Sequence, residues 1–308
     1  MNRHFLQSPA WESYEQLERH KTFWIDGNGY SILAVLKTTP VGNYLYCPYG
    51  PALDSAEDLQ PALASLSELA QKQKAFFIRI EPTMSLTPNF LQKLGLKKSH
   101  DLNPAHTWAL DLSPTQDELL QGIESRKVRY WRNYAKKGIS IRHTKDSKQI
   151  NILTDLLKKL GDRNHFTPQD ENHLRNQLKA GFATLYVAEL DHIPIAAALV
   201  YDYEGVRYYA HAAAADEHRK LAAGSILIIQ MILDAKLSGS DIYDFWGMTP
   251  STDPNHPWYG FTQYKKSFGG HQIDYAGTWD LPLKRGQYLL YQIMRKLNRL
   301  KRKHRHNH

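Results

Sequence analysis

The sequence predicts an α/β fold in two successive halves. Three observations carry this. Apolar runs of strand length alternate with stretches whose leucines fall at helical spacing. Gly and Pro close these runs at short intervals. The strand–helix order of the first half then returns in the second with an added strand meander. With 308 residues, 42% of them hydrophobic, the chain has material for one large or two medium globular domains rather than a disordered polymer.

Each element follows from its local residues. Ser8-Pro9 before WESYEQLERH reads as a capped helix start. GYSILAVLK (29–37) and NYLYCPYG (43–50) read as a strand pair, stopped by Pro48, Gly50 and Pro51. Residues 57–74 place Leu59, Leu63, Leu66 and Leu69 at helix spacing. AFFIRIEP (75–82) is a buried strand ended by Pro82, and LTPNFLQKLGLKKS holds a short helix ending near Gly95. HTWALDLS (106–113) reads as the strand that closes the first half, giving a division at 112/113. In the second half 114–137 is helical up to Gly138, ISIRH (139–143) a strand and 148–162 a helix. ATLYVAEL (183–190), PIAAALVYDY (194–203) and RYYAHAAA (207–214) form a meander, with turns at Asp191-His192 and Glu204-Gly205. A helix over 222–237 ends at Gly239, and DIYDFWG follows as a strand. YKKSFGG (264–270) also reads as extended, so that alternation places Lys265 and Lys266 on opposite faces.

Charge is localised. Of 39 Lys and Arg against 31 Asp and Glu, nine basic residues and no acid fall after residue 280, so the rest of the chain is near neutral. A second cluster, SRKVRYWRNYAKKG, interleaves six Lys/Arg with Tyr130, Trp131 and Tyr134. Such patches imply an anionic partner: RNA, a phosphorylated substrate or lipid headgroups. In the tail, Tyr288, Leu289, Tyr291, Ile293, Met294, Leu297 and Leu300 precede the cationic end. That end reads as an interfacial segment, whereas 287–297 reads as a helix packed on the first half. The single cysteine, Cys47, allows no internal disulfide and lies between Tyr46 and Pro48 as a packing residue rather than a nucleophile. The N-terminus lacks an apolar secretion core, and the longest apolar run, 226–233, is too short to span a bilayer. The expectation is a cytoplasmic protein. Fifteen histidines form no metal pattern, although His304, His306 and His308 alternate in the tail, and no metal or redox cofactor is expected.

RKLAAGSILIIQ (219–230) enters a long helix through small residues. In N-acetyltransferase-like (GNAT-like) folds an R/Q-x-x-G-x-G/A turn here binds the coenzyme A pyrophosphate on bare amides at the helix N-terminus. Arg219, Ala222 and Gly224 occupy those places, and the Ala222 Cβ stands where a phosphate would approach. Two readings stay open: an acyltransferase with a degenerate phosphate turn, or an ordinary helix entry.

Several segments, in order, resemble one family. These are YCPYGPALD (46–54), FFIRIEP (76–82), HTWALDLS, RKVRYWRNYAKKGISI, RYYAHAAA, YDFWGMT and YKKSFGG. Together they resemble the Fem-type (FemABX) peptidoglycan bridge aminoacyltransferases, in a compact form without the coiled-coil arm. The resemblance implies tandem GNAT-like domains, the first over 1–112 and completed by 272–308, the second over 113–271. It implies aminoacyl-tRNA as co-substrate in place of coenzyme A, and a peptidoglycan precursor, lipid-linked or UDP-linked, as acceptor. The family's F-K-x-x-F lysine falls on Lys265, with Tyr264 for Phe, which implies stabilisation of negative charge during acyl transfer. Its acid before proline falls on Glu81, implying a group that orients or deprotonates the attacking amine. Tyr46, Phe76, Arg163, Tyr209 and His211 fall at substrate-side positions, with Tyr209 and His211 two apart and so on one strand face. Arg126, Lys127, Arg129 and Arg132 are implied contacts for tRNA or phosphate. The chain departs from the family at Ser13 and Glu15, where a lysine is usual after Trp11, and at Gln169 and His173, near an absent arginine–tyrosine pair.

The implied reaction is transfer of an amino acid to the stem-peptide amine of that precursor, at the inner face of the membrane, with peripheral contact through the basic tail. An acyl-CoA-dependent N-acyltransferase would instead bind coenzyme A at 219–225. A non-catalytic RNA- or membrane-binding module would be indifferent to Lys265 and Glu81.

Overall fold

The computed structural model describes residues 3–164 and 166–305, with side chains through 298. His306 and His308 lie outside the described residues, as does the His304 side chain. In chain order the elements begin α1 (Pro9–Leu17), β1 (Lys21–Gly27), β2 (Tyr30–Thr39), β3 (Gly42–Cys47), β4 (Ala52–Leu53), α2 (Leu59–Lys72), β5 (Ala75–Ile80), α3 (Pro88–Lys93) and β6 (Lys97–Lys98). Next come β7 (His106–Asp111), α4 (Gln116–Gly122), α5 (Ser125–Arg132), β8 (Ile139–Thr144), α6 (Asn151–Asn164), α7 (Glu171–Lys179), β9 (Ala183–Leu190), β10 (Ile193–Tyr203) and β11 (Val206–Ala214). The chain closes with α8 (Ala223–Leu237), β12 (Ile242–Gly247), α9 (Tyr259–Lys266), β13 (His271–Asp274), β14 (Trp279–Pro282) and α10 (Arg285–Arg305). Two compact units result: one takes the chain up to Ala105 and again from Asp274, the other is His106–Ile273.

The first unit is a sheet in the order β1-β2-β3-β5-β14-β6, with β4 paired to β2. The Ser8 side chain accepts from the Trp11 amide and Pro9 fills the first turn of α1, as the Ser-Pro pair predicts. β3 and β5 run parallel, joined by α2, whose Leu59, Ala62, Leu63 and Leu66 face the sheet. Cys47 is buried in this core, and burial pushes its thiol pKa up, which removes it as a nucleophile. The strand 21–27 was not apparent from the sequence; it pairs antiparallel along all seven of its residues with β2.

The second unit is a sheet in the order β13-β7-β12-β11-β10-β9-β8. The meander β9–β11 stands as the turn residues predict, and α8 then crosses over so that β12 lies parallel to β11. α8 is apolar nearly all round and is buried accordingly. Gln230, which interrupts its apolar run, accepts from the Trp131 indole at 3.1 Å.

Three expectations are corrected. The strand at 106–111 belongs to the second unit, because it pairs antiparallel with β12 (Ile242↔Asp111, Asp244↔Ala109) while β14 takes the place beside β5. The chain therefore passes between units at 105/106 and 273/274, not at 112/113 and 271/272. The helix over 114–137 is broken: α4 ends at Gly122, Ile123 is extended and buried, and α5 starts at Ser125. Finally, 259–266 is helix rather than strand. Thr262, Lys265 and Phe268 recur every third residue and all three are buried, which is one helical face continued through the final turn.

Candidate functional site

The chemistry of the second unit gathers where β12 ends. Its residues alternate: Tyr243 and Phe245 enter the α8 core, while Asp244 and Trp246 face the other way. The buried Asp244 carboxylate accepts from the Trp246 amide at 2.6 Å and from the Thr107 hydroxyl of β7. This local turn holds Trp246 at φ 63°, in the left-handed region, and redirects the chain. The Gly247 carbonyl then accepts from Lys265 Nζ at 2.6 Å.

Lys265 is 2% exposed, and its ammonium sits 3.9 Å from the centroid of the Phe261 ring, one helical turn earlier. Burial lowers its pKa to about 7, and the Asp244 charge pulls it partly back. Burial in turn raises the Asp244 pKa against its hydrogen bonds and Lys265. The Thr262 hydroxyl accepts from the Thr249 amide at 3.0 Å, tying the loop after β12 to the same helix face. The arrangement is one cation in a nearly dry setting, aimed by a carbonyl and an aromatic ring. Its neighbour Lys266 is exposed, with Nζ 5.2 Å from the Trp108 ring. The two lysines differ because about 100° of helix rotation separates them, not because of strand alternation.

Tyr209 and His211 do not share a face. Leu199 pairs with His211 and Val200 with Tyr209, so Ala210 is an extra residue in β11. That bulge reverses the alternation. Tyr209 points to the α8 side, with ring centroids 6.5 Å from Tyr243 and Phe245. His211 lies on the other face, 6.5 Å from Tyr201, which in turn is 6.0 Å from Trp246. Burial lowers the His211 pKa to about 4, so the imidazole is neutral near pH 7. His211, Asp244 and Trp246 thus occupy one side of this sheet, and Tyr209 the other. Arg163, at the end of α6, pairs with Asp216 at 2.5 Å beside a cavity of about 450 Å³.

The basic cluster on α5 divides by face. Arg126 donates to the Tyr130 hydroxyl at 3.1 and 3.2 Å. Lys127 pairs with Glu124 and lies 5.6 and 5.5 Å from the Tyr264 and Phe268 rings. Both line a cleft of about 400 Å³ with Arg219, Lys220, Tyr130 and Tyr264, at the start of α8. Arg129 and Arg132 are exposed and do not line that cleft. At its mouth Ala222 adopts φ 56° and ψ 34°, so the turn keeps the shape that glycine would favour.

In the first unit Glu81 is 2% exposed and heavily engaged. It accepts from the Tyr46 hydroxyl (2.8 Å), Asn103 Nδ2 (2.7 Å), the Thr278 hydroxyl (2.7 Å) and the amides of Asn103 and Tyr49 (3.2 and 3.4 Å). These donors take up a carboxylate's roughly four lone-pair sites. Glu81 therefore organises its neighbours and has no lone pair left for an incoming amine. It does not pair with Arg79 either. Arg79 makes a two-pronged bond to Asp280, Nε to Oδ1 at 2.6 Å and one guanidinium nitrogen to Oδ2 at 2.8 Å. Burial, then the Glu81 charge, raises the Tyr46 pKa and keeps that phenol protonated. Phe76 is wholly enclosed with Phe77 and Tyr288, so the expectation that it touches substrate is overturned by its burial.

YDFWGMT stands among the segments that resemble the family, but no role falls on its Asp244 there. The cue for one was an acid inside a strand otherwise made of Tyr, Phe and Trp. Thr107 and Phe261 carried no comparable signal.

Comparison with known proteins adds to this geometry. Residues 174–296 match the sequence model of the FemAB family. The lipid II:glycine glycyltransferase of Staphylococcus aureus (strain USA300) is 23% identical, over 80% of this chain and 78% of that protein. The chain is similar to the Fem family in sequence. Its fold is that of the crystal structure of FemX, with a TM-score of 0.83, 21% identity and 94% of each chain covered. A tandem GNAT protein from the clavulanic acid biosynthesis pathway aligns with a TM-score of 0.52 at 15% identity, over 83% of this chain and 79% of its own. The chain thus has the α/β architecture that its strand and helix order predicts, in the tandem acetyltransferase-like form that the resemblance implies.

Proposed function

We propose that this protein is a Fem-family transferase that moves an amino acid from an aminoacyl-tRNA to the stem-peptide amine of a peptidoglycan precursor. The observation that carries the chemistry is the buried Lys265 ammonium, hydrogen-bonded to Gly247 and capped by Phe261. An amine that attacks an aminoacyl ester forms a C–N bond and places negative charge on the carbonyl oxygen. The intermediate then collapses: the ester C–O bond breaks, the tRNA ribose oxygen leaves and takes a proton, and the attacking nitrogen loses one. A fixed cation with little water around it stabilises the oxyanion, and removing one such group typically costs about 10²–10³ in rate. No metal or redox cofactor is required by these steps.

The relative named as a lipid II:glycine glycyltransferase supports a cell-wall precursor as acceptor. In this reading the cleft lined by Arg126, Lys127, Arg219 and Lys220 receives phosphates of the tRNA acceptor end, with Arg129 and Arg132 extending the positive surface. His211 and Arg163 serve the acceptor side, while Glu81 holds Tyr46 and Asn103 in place. The protein works in the cytoplasm at the inner face of the membrane.

The test is an assay of charged tRNAs against lipid-linked and nucleotide-linked precursors, read as a mass increase of one or more residues. No mass increase with any charged tRNA sinks the reading. The cationic cleft at the start of α8 also favours a second reading, an acyl-CoA-dependent transfer. That reading requires a thermal shift on coenzyme A titration that Arg219→Ala abolishes; the tRNA reading requires none.

A further inference from the structure

We infer that α10 is a membrane-surface helix, which docks the protein on an anionic lipid bilayer through a face that the fold leaves uncovered. The helix has two apolar faces. One is consumed within the first unit: Tyr288 is buried with its ring 5.3 Å from Phe77, and Tyr291 lies 5.2 Å from Phe77 and 5.8 Å from Phe76. The other carries Leu289, Leu290, Ile293 and Leu297, between 49% and 62% exposed. Positions 289, 293 and 297 are four apart, so they form a continuous stripe along the axis, with 290 beside it.

Charge selects the occupant. Lys284, Arg285 and Lys296 are exposed around the stripe. No Asp or Glu follows Asp280 in the sequence, and Asp280 is buried against Arg79 and Tyr288. An apolar stripe on a helix whose charged residues are all cations matches a bilayer with anionic headgroups, which attract cations near the surface. A second copy of this chain is a poor match. Two such stripes face to face would bring their cations together with no acid to offset them. RNA would use the cations but not the leucines. The helix would lie along the surface, since no helix among the described residues is long and apolar enough to cross a membrane.

The test uses the full chain and vesicles, with no substrate, so its outcome is independent of the reaction proposed above. Flotation with vesicles of phosphatidylglycerol and phosphatidylcholine is compared with phosphatidylcholine alone. The comparison variant is Leu289→Gln/Ile293→Gln/Leu297→Gln, whose three sites are exposed and so leave folding intact, as circular dichroism would verify. The wild type should float with anionic vesicles, weaken at least about tenfold on neutral ones, and lose binding progressively as salt rises. The variant should bind anionic vesicles at least about tenfold more weakly. Absence of flotation overturns the inference. So does equal binding by the variant, which would leave only a charge contact of the kind RNA would share. A wild-type dimer that the variant converts to monomer would assign the stripe to a second copy instead.

Discussion

The Lys265 side chain carries two predictions with opposite uses of the same proton. Its pKa falls to about 7 on burial, against roughly 10.4 for an unfolded lysine. The charged form is the one that stabilises an oxyanion, so the lysine's contribution to turnover is lost as pH rises through about 7. Lys265→Arg keeps a cation at every accessible pH. The ratio of wild-type to Lys265→Arg turnover should therefore fall across pH 6–8. A rising ratio would mean that the neutral amine acts as a base. Lys265→Met, similar in length but uncharged, should lower turnover by about 10²–10³ without loss of fold. Stability has the reverse sign. Between about 7 and about 10.4 the unfolded chain binds the proton that the folded chain has released, so stability increases with pH across that window. Lys265→Met should flatten this rise and stabilise the protein at pH 6, by an amount on the order of a few kcal/mol in chemical denaturation. At this scale the motif singled out Lys265, and the fold buries that lysine while leaving Lys266 exposed. The sequence failed at Tyr209 and His211, since one inserted residue, Ala210, exchanged the faces, and a bulge leaves no mark in an apolar strand.

Elements meet the sequence on different terms. Strands β2, β3, β5 and β9–β11 were legible because a buried or half-buried strand writes its period into the residues. The α9 segment was not, because GFTQYKKSF places an amphipathic lysine where an apolar residue would mark the buried helical face. Two junctions can be tested. β14 is locked to β5 by the Arg79–Asp280 pair, with Tyr288 of α10 donating to the same carboxylate at 2.8 Å. Burial alone would lower the Arg79 pKa; the bonds to Asp280 more than offset it. Asp280→Ala leaves a buried guanidinium without its counterion and should cost about 3–5 kcal/mol in urea unfolding. A loss under 1 kcal/mol would show that water, with the existing bond to Ser99, satisfies Arg79 without its counterion. At the entry to α8, Ala222 holds a left-handed conformation that costs an L-residue about 1–2 kcal/mol. Ala222→Gly relieves that strain against glycine's greater loss of chain entropy, so a net gain of roughly 0.5–1 kcal/mol, seen as a raised Tm, is expected.

Across the whole molecule, the first unit is assembled from both ends of the chain. Residues up to Ala105 supply β1 to β6, and β14 arrives some two hundred residues after β5 to lie between β5 and β6. The sequence shows that the C-terminal segment is apolar enough to pack, and the family resemblance implies its return, but periodicity cannot say which sheet a strand joins. That is why β7 was read into the first half: a strand's residues report that it is buried, whereas its partner is set by which edge stands open. The second unit, by contrast, is one continuous stretch, His106–Ile273. Ending the chain after Asp274 should therefore act on one unit. It removes the strand that covers β5, deprives Arg79 of Asp280, and uncovers Phe76 and Phe77 where Tyr288 packs. Hydrogen exchange should show amide protection lost from β2, β3 and β5 and kept in β9, β10 and β11, whose ladder pairs lie wholly within the continuous unit. Protection retained in β5 would mean that the first sheet closes without β14, and loss of protection in β10 would mean that the two units fold as one cooperative body.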